Sequence, residues 1–248
     1  MAGKDRPVME EEAEYRRQLD LFTRSSTEKQ IELVKLGEVL AGITNRDAFL
    51  DIGAGGGYLT IPLSQSFEKT VIVEPNGKQV DFLRRRCPEF TVHHDTWGNI
   101  DLGGTFFDFI LCSHVLYYID SDAWLPALEK MYGRLAPGGR IAVVLQSPIG
   151  EVAAFFNQFT RYDVDILGLW RDLYMRYGDD VVGVRYFLNE IWTESLEDMA
   201  DIGLFLLIDR RFRACRDEIR RYIEANQRVP GGFRMMQDEI LLSLRKPG

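Results

Sequence analysis

Two acidic residues and a glycine-rich turn offer the clearest chemistry in this sequence. Asp51 lies in an apolar stretch and is followed by glycines at alternate positions, Gly53, Gly55 and Gly57. Glycine costs roughly 0.5–1 kcal/mol inside a helix or strand, so this run predicts a sharp turn or a close approach to a ligand. Glu74 closes the next apolar stretch, where an acid can accept both hydroxyls of a ribose. The spacing predicts a ligand site at the carboxyl edge of a parallel sheet.

The motif from Asp51 to Gly57, followed by Glu74 at a strand end, resembles the class I S-adenosylmethionine (SAM) methyltransferases. The resemblance implies SAM as cofactor, S-adenosylhomocysteine (SAH) as product, and cofactor contacts from these acids and glycines. A nicotinamide oxidoreductase is disfavoured, because Tyr58 stands where the third glycine of its G-x-G-x-x-G fingerprint should be.

The resemblance extends to further cofactor contacts. The segment Val73-Glu74-Pro75-x-x-x-Gln79 is similar to histamine N-methyltransferases, in which the glutamate holds the ribose and the glutamine assists. Members of the wider family contact adenine at the end of the third strand, where an acid accepts from the exocyclic amine and an aromatic ring covers the base. Those positions fall on Asp95, Thr96 and Trp97, and Ser113 ends the fourth strand beside the glycine loop. The alternatives are a surface helix residue for Gln79 and a loop residue for Trp97.

The same resemblance implies candidate substrate contacts. In the histamine-methylating enzymes, the glutamate of a Ser-Thr-Glu-x-Gln stretch binds the substrate amine. That glutamate corresponds to Glu28 in this sequence. Glu28 could alternatively interact with the dipole at a helix N-terminus. A substrate-contacting glutamine falls on His114, which could be a general base, bind an acidic or amide group, or be a structural histidine. Glu28 and His114 are the candidate catalytic residues. The candidate substrate residues are Glu28, His114, Tyr117, Tyr118, Trp170 and Asp238.

Alternating apolar and helical segments predict an α/β fold that positions these residues. It is a Rossmann-like, doubly wound, mostly parallel seven-stranded sheet, and the resemblance implies an antiparallel last strand. Two helices precede the first strand, and a sixth strand is predicted at residues 204–208, after a helix that ends at Gly203. The predicted divisions are an N-terminal helical cap (1–45), a SAM-binding core (46–146), a helical lid or substrate region without strands (147–192) and the C-terminal part of the core sheet (193–248).

Net charge, hydropathy and cysteine usage restrict the classes of binding partner and the cellular location that we expect. The 248 residues carry a net charge of −8, which disfavours nucleic acid as the main partner. No segment reaches the ~18 apolar residues of a membrane span, and the N-terminus has no apolar signal region. Three scattered cysteines are typical of reduced thiols, so we expect a cytoplasmic protein. We also expect a monomer or a homodimer. His93 and His94 are adjacent on a strand and point to opposite faces, so no metal site is predicted.

The sequence therefore predicts a SAM-dependent methyltransferase of a small organic acceptor. From the resemblance, an amine or imidazole nitrogen is the favoured acceptor. The alternatives are O- or C-methylation of a secondary metabolite or peptide end, and a non-catalytic SAM-binding regulator. Methyl transfer from a sulfonium needs mainly proximity, orientation and removal of water, so no strong catalytic motif is expected.

Overall fold

The structure, a computed structural model, describes residues 12–160 and 164–248. Two helices precede the first strand, as the sequence predicts. They are followed by alternating strands and helices up to the centre of the sheet. The elements of this first part are α1 (Glu12–Ser25), α2 (Glu28–Leu40), β1 (Ala48–Ile52), α3 (Thr60–Ser64), β2 (Lys69–Glu74), α4 (Gly77–Arg86), β3 (Thr91–His94), β4 (Phe107–Ser113), α5 (Trp124–Gly133) and β5 (Leu135–Gln146).

The rest of the chain adds two helices before a long strand and two after it. Its elements are α6 (Glu151–Phe159), α7 (Ile166–Tyr177), β6 (Val182–Thr193), α8 (Leu196–Leu206), α9 (Arg216–Asn226), β7 (Arg228–Val229) and β8 (Gly232–Arg245). None of the helices in the described ranges combines the length and apolar character that crossing a bilayer would require.

The strands form one mixed sheet in the order β3-β2-β1-β4-β5-β8-β6, with the short β7 paired to β8. β1 to β5 pair in parallel, whereas β8 runs antiparallel to β5. This confirms the predicted Rossmann-like α/β fold, and the short β7 accounts for an eighth strand among the described residues. Because β8 runs in the opposite direction, Glu239, which pairs with Gln146, lies at the edge where the parallel strands end.

The chain forms two compact units that alternate along the sequence. The first takes its described residues from 12–29, 149–160 and 188–238, and the second from 30–148, 164–187 and 239–248. Each has its own apolar core. The first core includes Val152, Phe155, Met199, Ile219 and Met235. The second includes Leu36, Phe49, Phe109, Val144 and Leu241. The four functional divisions predicted from the sequence stay a prediction.

Two predictions about individual elements were wrong. The region 147–192 is not helical throughout, since Val182–Thr193 forms β6. Residues 204–208 do not form a strand, because α8 continues to Leu206. Gly203 lies inside that helix rather than at its end, where it allows close packing: a Cβ there would lie 3.0 Å from Cζ of Phe155.

Candidate functional site

The loop after β1 has a backbone that glycine adopts most easily. The φ angles are +74° at Gly53, +52° at Gly55 and +76° at Gly57, in the left-handed region that other residues rarely adopt. A Cβ on Gly53 would also collide with the side chain of Val115. Around the corresponding position on Gly55, no atom lies within 4 Å. The loop therefore turns sharply at Gly53 and leaves room for a close approach to its backbone at Gly55.

The carboxylate of Glu74 connects this loop to the end of β2. Its Oε2 accepts the Gly55 N–H at 2.9 Å, and its Oε1 accepts the Asn76 N–H at 2.8 Å. Burial raises the pKa of Glu74, while the two N–H donors and the nearby His94 act in the opposite direction. A carboxylate offers about four lone-pair sites, so the hydroxyls of a sugar can be accepted in addition to these N–H groups. The arrangement fits a ribose at this edge.

Asp51 is buried directly below the glycine loop. Its Oδ2 accepts a hydrogen bond from the hydroxyl of Thr60, the first residue of α3. The Gly53 N–H donates to the Val73 carbonyl at 2.8 Å, which extends the contact between β1 and β2 into the loop. The start of the loop is therefore fixed by both neighbouring elements. Thr60 was not predicted as part of the site.

The residues after Glu74 form the turn into α4. Asn76 caps this helix, since its Oδ1 accepts the N–H groups of Lys78 at 3.0 Å and Gln79 at 3.3 Å. Pro75 is exposed, and its carbonyl oxygen lies 3.0 Å from Nε2 of His94. His94 thus contacts the turn that bears Glu74. The roles of Pro75 and Gln79 toward a cofactor stay predictions.

The predicted adenine contacts differ in their exposure. Thr96 is exposed and donates its N–H to Oδ1 of the half-buried Asp95 at 2.7 Å. Trp97 is only 4% exposed, and its Nε1–H donates to the Ala127 carbonyl at 3.1 Å. The ammonium of Lys130 lies 4.7 Å from the centre of the Trp97 ring. This packing leaves little of the indole for a base, so the predicted stacking by Trp97 gains no support from it.

His114 follows β4 with a backbone conformation that is uncommon outside glycine. Its φ is +56°, and its N–H donates to the Val144 carbonyl at 2.9 Å, which continues the contact with β5. Non-glycine residues in this region are held there by their surroundings and concentrate at functional sites. The imidazole lies at the carboxyl edge of the sheet, next to Val115, which adjoins the glycine loop.

Two carboxylates and a phenol surround the imidazole of His114. Its Nε2 lies 3.1 Å from Oε1 of Glu32 and 3.1 Å from Oε1 of Glu239, and both carboxylate side chains are fully buried. Its Nδ1 lies 3.2 Å from Oη of Tyr117. That phenol oxygen accepts the Gln146 N–H at 2.5 Å. The second unit therefore holds an ionisable cluster at the edge of the sheet.

The two glutamates of this cluster were not predicted from the sequence. Glu32 lies one helical turn after Glu28, and its Oε1 also accepts the hydroxyl of Ser113 at 2.8 Å. The sequence contained a clue, namely two acids four residues apart on an amphipathic helix. At the last strand the sequence predicts Asp238, the neighbour of Glu239, as a substrate contact. Adjacent strand residues point to opposite faces, so only the pairing of β8 with β5 could decide between them.

Glu28 and Asp238 belong to the first unit. Glu28 is buried, its Oε2 accepts a hydrogen bond from Gln237 at 2.6 Å, and its Oε1 lies 2.6 Å from Nζ of Lys29. The Asp238 carboxylate packs against Gly150 so closely that any Cβ there would collide with it. Their predicted contacts with an acceptor stay predictions.

Two further candidates lie in the second unit with substantial exposed surface. The side chain of Tyr118 is 52% exposed, directly after Tyr117. Trp170 is half-buried on α7, and its ring centre lies 5.7 Å from that of Tyr174. Their predicted roles as substrate contacts also stay predictions.

Residues 49–139 match a protein-family model described as a methyltransferase domain. Uncharacterized methyltransferases of Mycobacterium tuberculosis and Mycobacterium bovis are 30% identical over 95 residues. That match spans 38% of this chain and 38% of the length of these curated relatives.

Solved structures resemble the chain over most of its length. The N-methyltransferase NodS from Bradyrhizobium japonicum has a TM-score of 0.53 at 14% identity, covering 92% of this chain and 97% of that protein. Its complex with SAH gives the same TM-score over 89% and 87%. The YcgJ protein of Bacillus subtilis has a TM-score of 0.59 at 13% identity, over 88% and 99%. At such identities the likeness shows the fold alone, a Rossmann-like α/β fold.

Proposed function

We propose that this chain is a SAM-dependent methyltransferase that acts on a small organic acceptor. One observation carries the proposal: Glu74 is hydrogen-bonded to the backbone of a glycine loop that is open at Gly55. A carboxylate of the kind that accepts ribose hydroxyls thus lies beside a backbone that a ligand can approach closely. The methyltransferase-domain match over residues 49–139 supports the same conclusion.

An amine or imidazole nitrogen is the acceptor that we favour. The buried carboxylates of Glu32 and Glu239 surround His114 at the sheet edge, and negative charge there favours a protonated amine over a neutral hydroxyl. The relation to NodS, an N-methyltransferase, agrees with this preference. His114 replaces the glutamine expected from the histamine-methylating enzymes, so we do not propose histamine itself.

The residues of this chain would act chiefly by positioning. When bound, SAM supplies an electrophilic methyl group on its sulfonium. Glu74 and the glycine loop would hold the nucleoside, while the acceptor is oriented and water is excluded at the edge near His114. An amine attacks only as its free base, so a proton acceptor must lie close by. His114 is our candidate for that role.

Cofactor binding tests the first part of the proposal. We expect SAH to bind the wild-type protein in isothermal titration calorimetry, and Glu74→Ala to weaken that binding at least about tenfold, or roughly 1.4 kcal/mol. The matched control is Glu68→Ala, an exposed glutamate next to the other end of β2, which should leave the affinity unchanged. Equal affinity in all three proteins would contradict the placement of the pocket.

Transfer of radiolabelled methyl groups tests the acceptor class. We expect label to pass from SAM to members of a panel of amines and imidazoles. Label found only on hydroxyl or carbon acceptors would favour the O- or C-methyltransferase alternative. SAH binding without transfer to any member, or to compounds of a host extract, would favour a non-catalytic regulator.

A further inference from the structure

We propose that Glu32 and Glu239 hold His114 as the Nε2–H tautomer, so that Nδ1, through the Tyr117 hydroxyl, accepts the proton that an amine acceptor must lose. Glu32 and Glu239 are then positioning residues, and His114 and Tyr117 are the groups that move the proton. The inference rests on the proposed function, because only a methyl acceptor supplies that proton. The tautomer itself can be measured without any acceptor.

The carboxylates determine which nitrogen carries the proton. Nε2 faces Oε1 of Glu32 and Oε1 of Glu239, each at 3.1 Å. An ionised carboxylate can only accept hydrogen bonds, and neutral imidazole has one N–H to donate. The proton is therefore placed on Nε2, where it is shared between two acceptors that come from different elements, α2 and β8.

The phenol determines the state of the other nitrogen. Oη of Tyr117 accepts the Gln146 N–H at 2.5 Å, and the hydroxyl has a single proton to donate. Nδ1 of His114 lies 3.2 Å from Oη, so that proton is directed to a nitrogen with a lone pair. The result is an ordered chain that runs from a backbone N–H through the phenol and the imidazole to the carboxylates.

This order suits proton uptake at the edge of the sheet. An imidazolium at this position would have Glu32 on α2 and Glu239 on β8 facing it, with Tyr117 on its own loop. Opposite charges within about 4–6 Å stabilise a protonated imidazole. The same logic operates wherever a third group orients and stabilises a catalytic base.

In the proposed step, the proton passes from the acceptor through Tyr117 to His114. An acceptor ammonium gives one proton to Oη of Tyr117, the phenol passes its own proton to Nδ1 of His114, and the acceptor is left as a neutral amine. Its nitrogen then forms a bond to the methyl carbon, the carbon–sulfur bond breaks, and the electron pair of that bond stays on sulfur. The imidazolium returns its proton to solvent, since the His114 side chain is 21% exposed.

Histidine-selective NMR tests the tautomer directly, because the chain has only three histidines. In 15N-histidine-labelled protein, His114→Asn assigns the His114 signals. At a pH above the titration of His114, we expect the neutral ring of the wild type to show a protonated Nε2 and an unprotonated Nδ1. A protonated Nδ1 in the neutral ring would overturn the proposal. This measurement uses the wild-type protein and needs no variant of Glu32 or Glu239.

Titration of the same signals tests the two positioning residues. Glu32→Gln and Glu239→Gln should each lower the pKa of His114 by about one unit or more, since each removes a facing negative charge. Glu38→Gln is the matched control on α2, because Glu38 is exposed and pairs with Lys35. A His114 titration unchanged in both Glu32→Gln and Glu239→Gln would overturn the proposal.

A divalent cation is the competing explanation for the cluster. The ligand atoms of Glu32, His114 and Glu239 lie within 4.8 Å of one another. One equivalent of Zn²⁺ or Mn²⁺ added to chelator-treated protein should leave the His114 signals in place. A shift or broadening of the Nε2 signal at one equivalent of metal, reversed by chelator, would overturn the proton relay and show a metal site instead. Loss of SAH binding would instead count against the proposed function and leave the tautomer result standing.

Discussion

Gly53 and Gly55 share a left-handed backbone, with φ of +74° and +52°, but differ in their surroundings. Gly53→Ala places a methyl group against Val115, whereas Gly55→Ala places it where no atom lies within 4 Å. We expect Gly53→Ala to lower the free energy of unfolding by about 2 kcal/mol or more, and Gly55→Ala by about 1 kcal/mol. Urea denaturation of both variants measures the difference.

A double variant identifies the cause of the larger loss. Adding Val115→Ala to Gly53→Ala removes the collision but not the backbone cost. We therefore expect the double variant to lose less stability than the sum of its single changes. Additive losses would show that contact with Val115 does not restrict Gly53.

Glu74 predicts a pH dependence of stability. Burial raises the pKa of Glu74 above its ordinary value of 4.5, so the folded state binds this proton more tightly than the unfolded state. The contribution of Glu74 to stability is therefore full at pH values below 4.5 and is lost as the pH rises through the raised pKa. We expect Glu74→Gln to remove this part of the slope of unfolding free energy against pH. Identical slopes in the variant and wild type would contradict it.

Some site residues could be predicted from the sequence because their signal is local. The glycine run and the acids that follow apolar stretches, Asp51 and Glu74, are contiguous patterns whose meaning depends on strand ends alone. Glu32 and Glu239 could not, because they meet His114 only through the packing of α2 and the pairing of β8 with β5. No local pattern encodes a contact between residues so far apart in the chain.

At the scale of elements, the cap of α4 links helix stability to the site. Asn76 accepts two N–H groups of α4 and donates its own N–H to Glu74. We expect Asn76→Ala to lower the unfolding free energy by about 1 kcal/mol and also to weaken SAH binding. Asp165 caps α7 in the same unit, so Asp165→Ala should cost similar stability without changing the affinity. Equal SAH affinity in both variants would show that the cap of α4 does not influence cofactor binding.

The element that the sequence least revealed is β6. Apolar residues lie on both faces of this strand: Val184, Tyr186 and Leu188 are exposed, whereas Phe187 and Ile191 are buried. A strand with apolar residues on both faces lacks the apolar–polar period of two that marks a half-buried strand. The sequence therefore predicts this stretch as part of a helical region without strands. The parallel strands β1, β2 and β4 were easier to predict, because strands buried on both faces are continuously apolar.

For the molecule as a whole, ligand binding should appear as selective stabilisation. At a concentration of one hundred times its Kd, SAH should raise the unfolding free energy by about 2.7 kcal/mol. NADH at the same concentration should produce no thermal shift. We expect hydrogen exchange to slow most in residues 51–57 and 74–79, where N–H groups of the loop and turn contact Glu74. Equal protection by NADH would favour an oxidoreductase.

The position of β8 has a consequence for how the chain matures. Residues 232–245 follow the five parallel strands in the chain, yet they insert beside β5 rather than at a rim of the sheet. Until then the outer edge of β5 has no β8 to pair with, and His114 lacks its Glu239 neighbour. A nascent chain can therefore assemble the glycine loop and Glu74 before it possesses the complete proton relay. The proposed proton relay is therefore complete only after β8 has paired with β5.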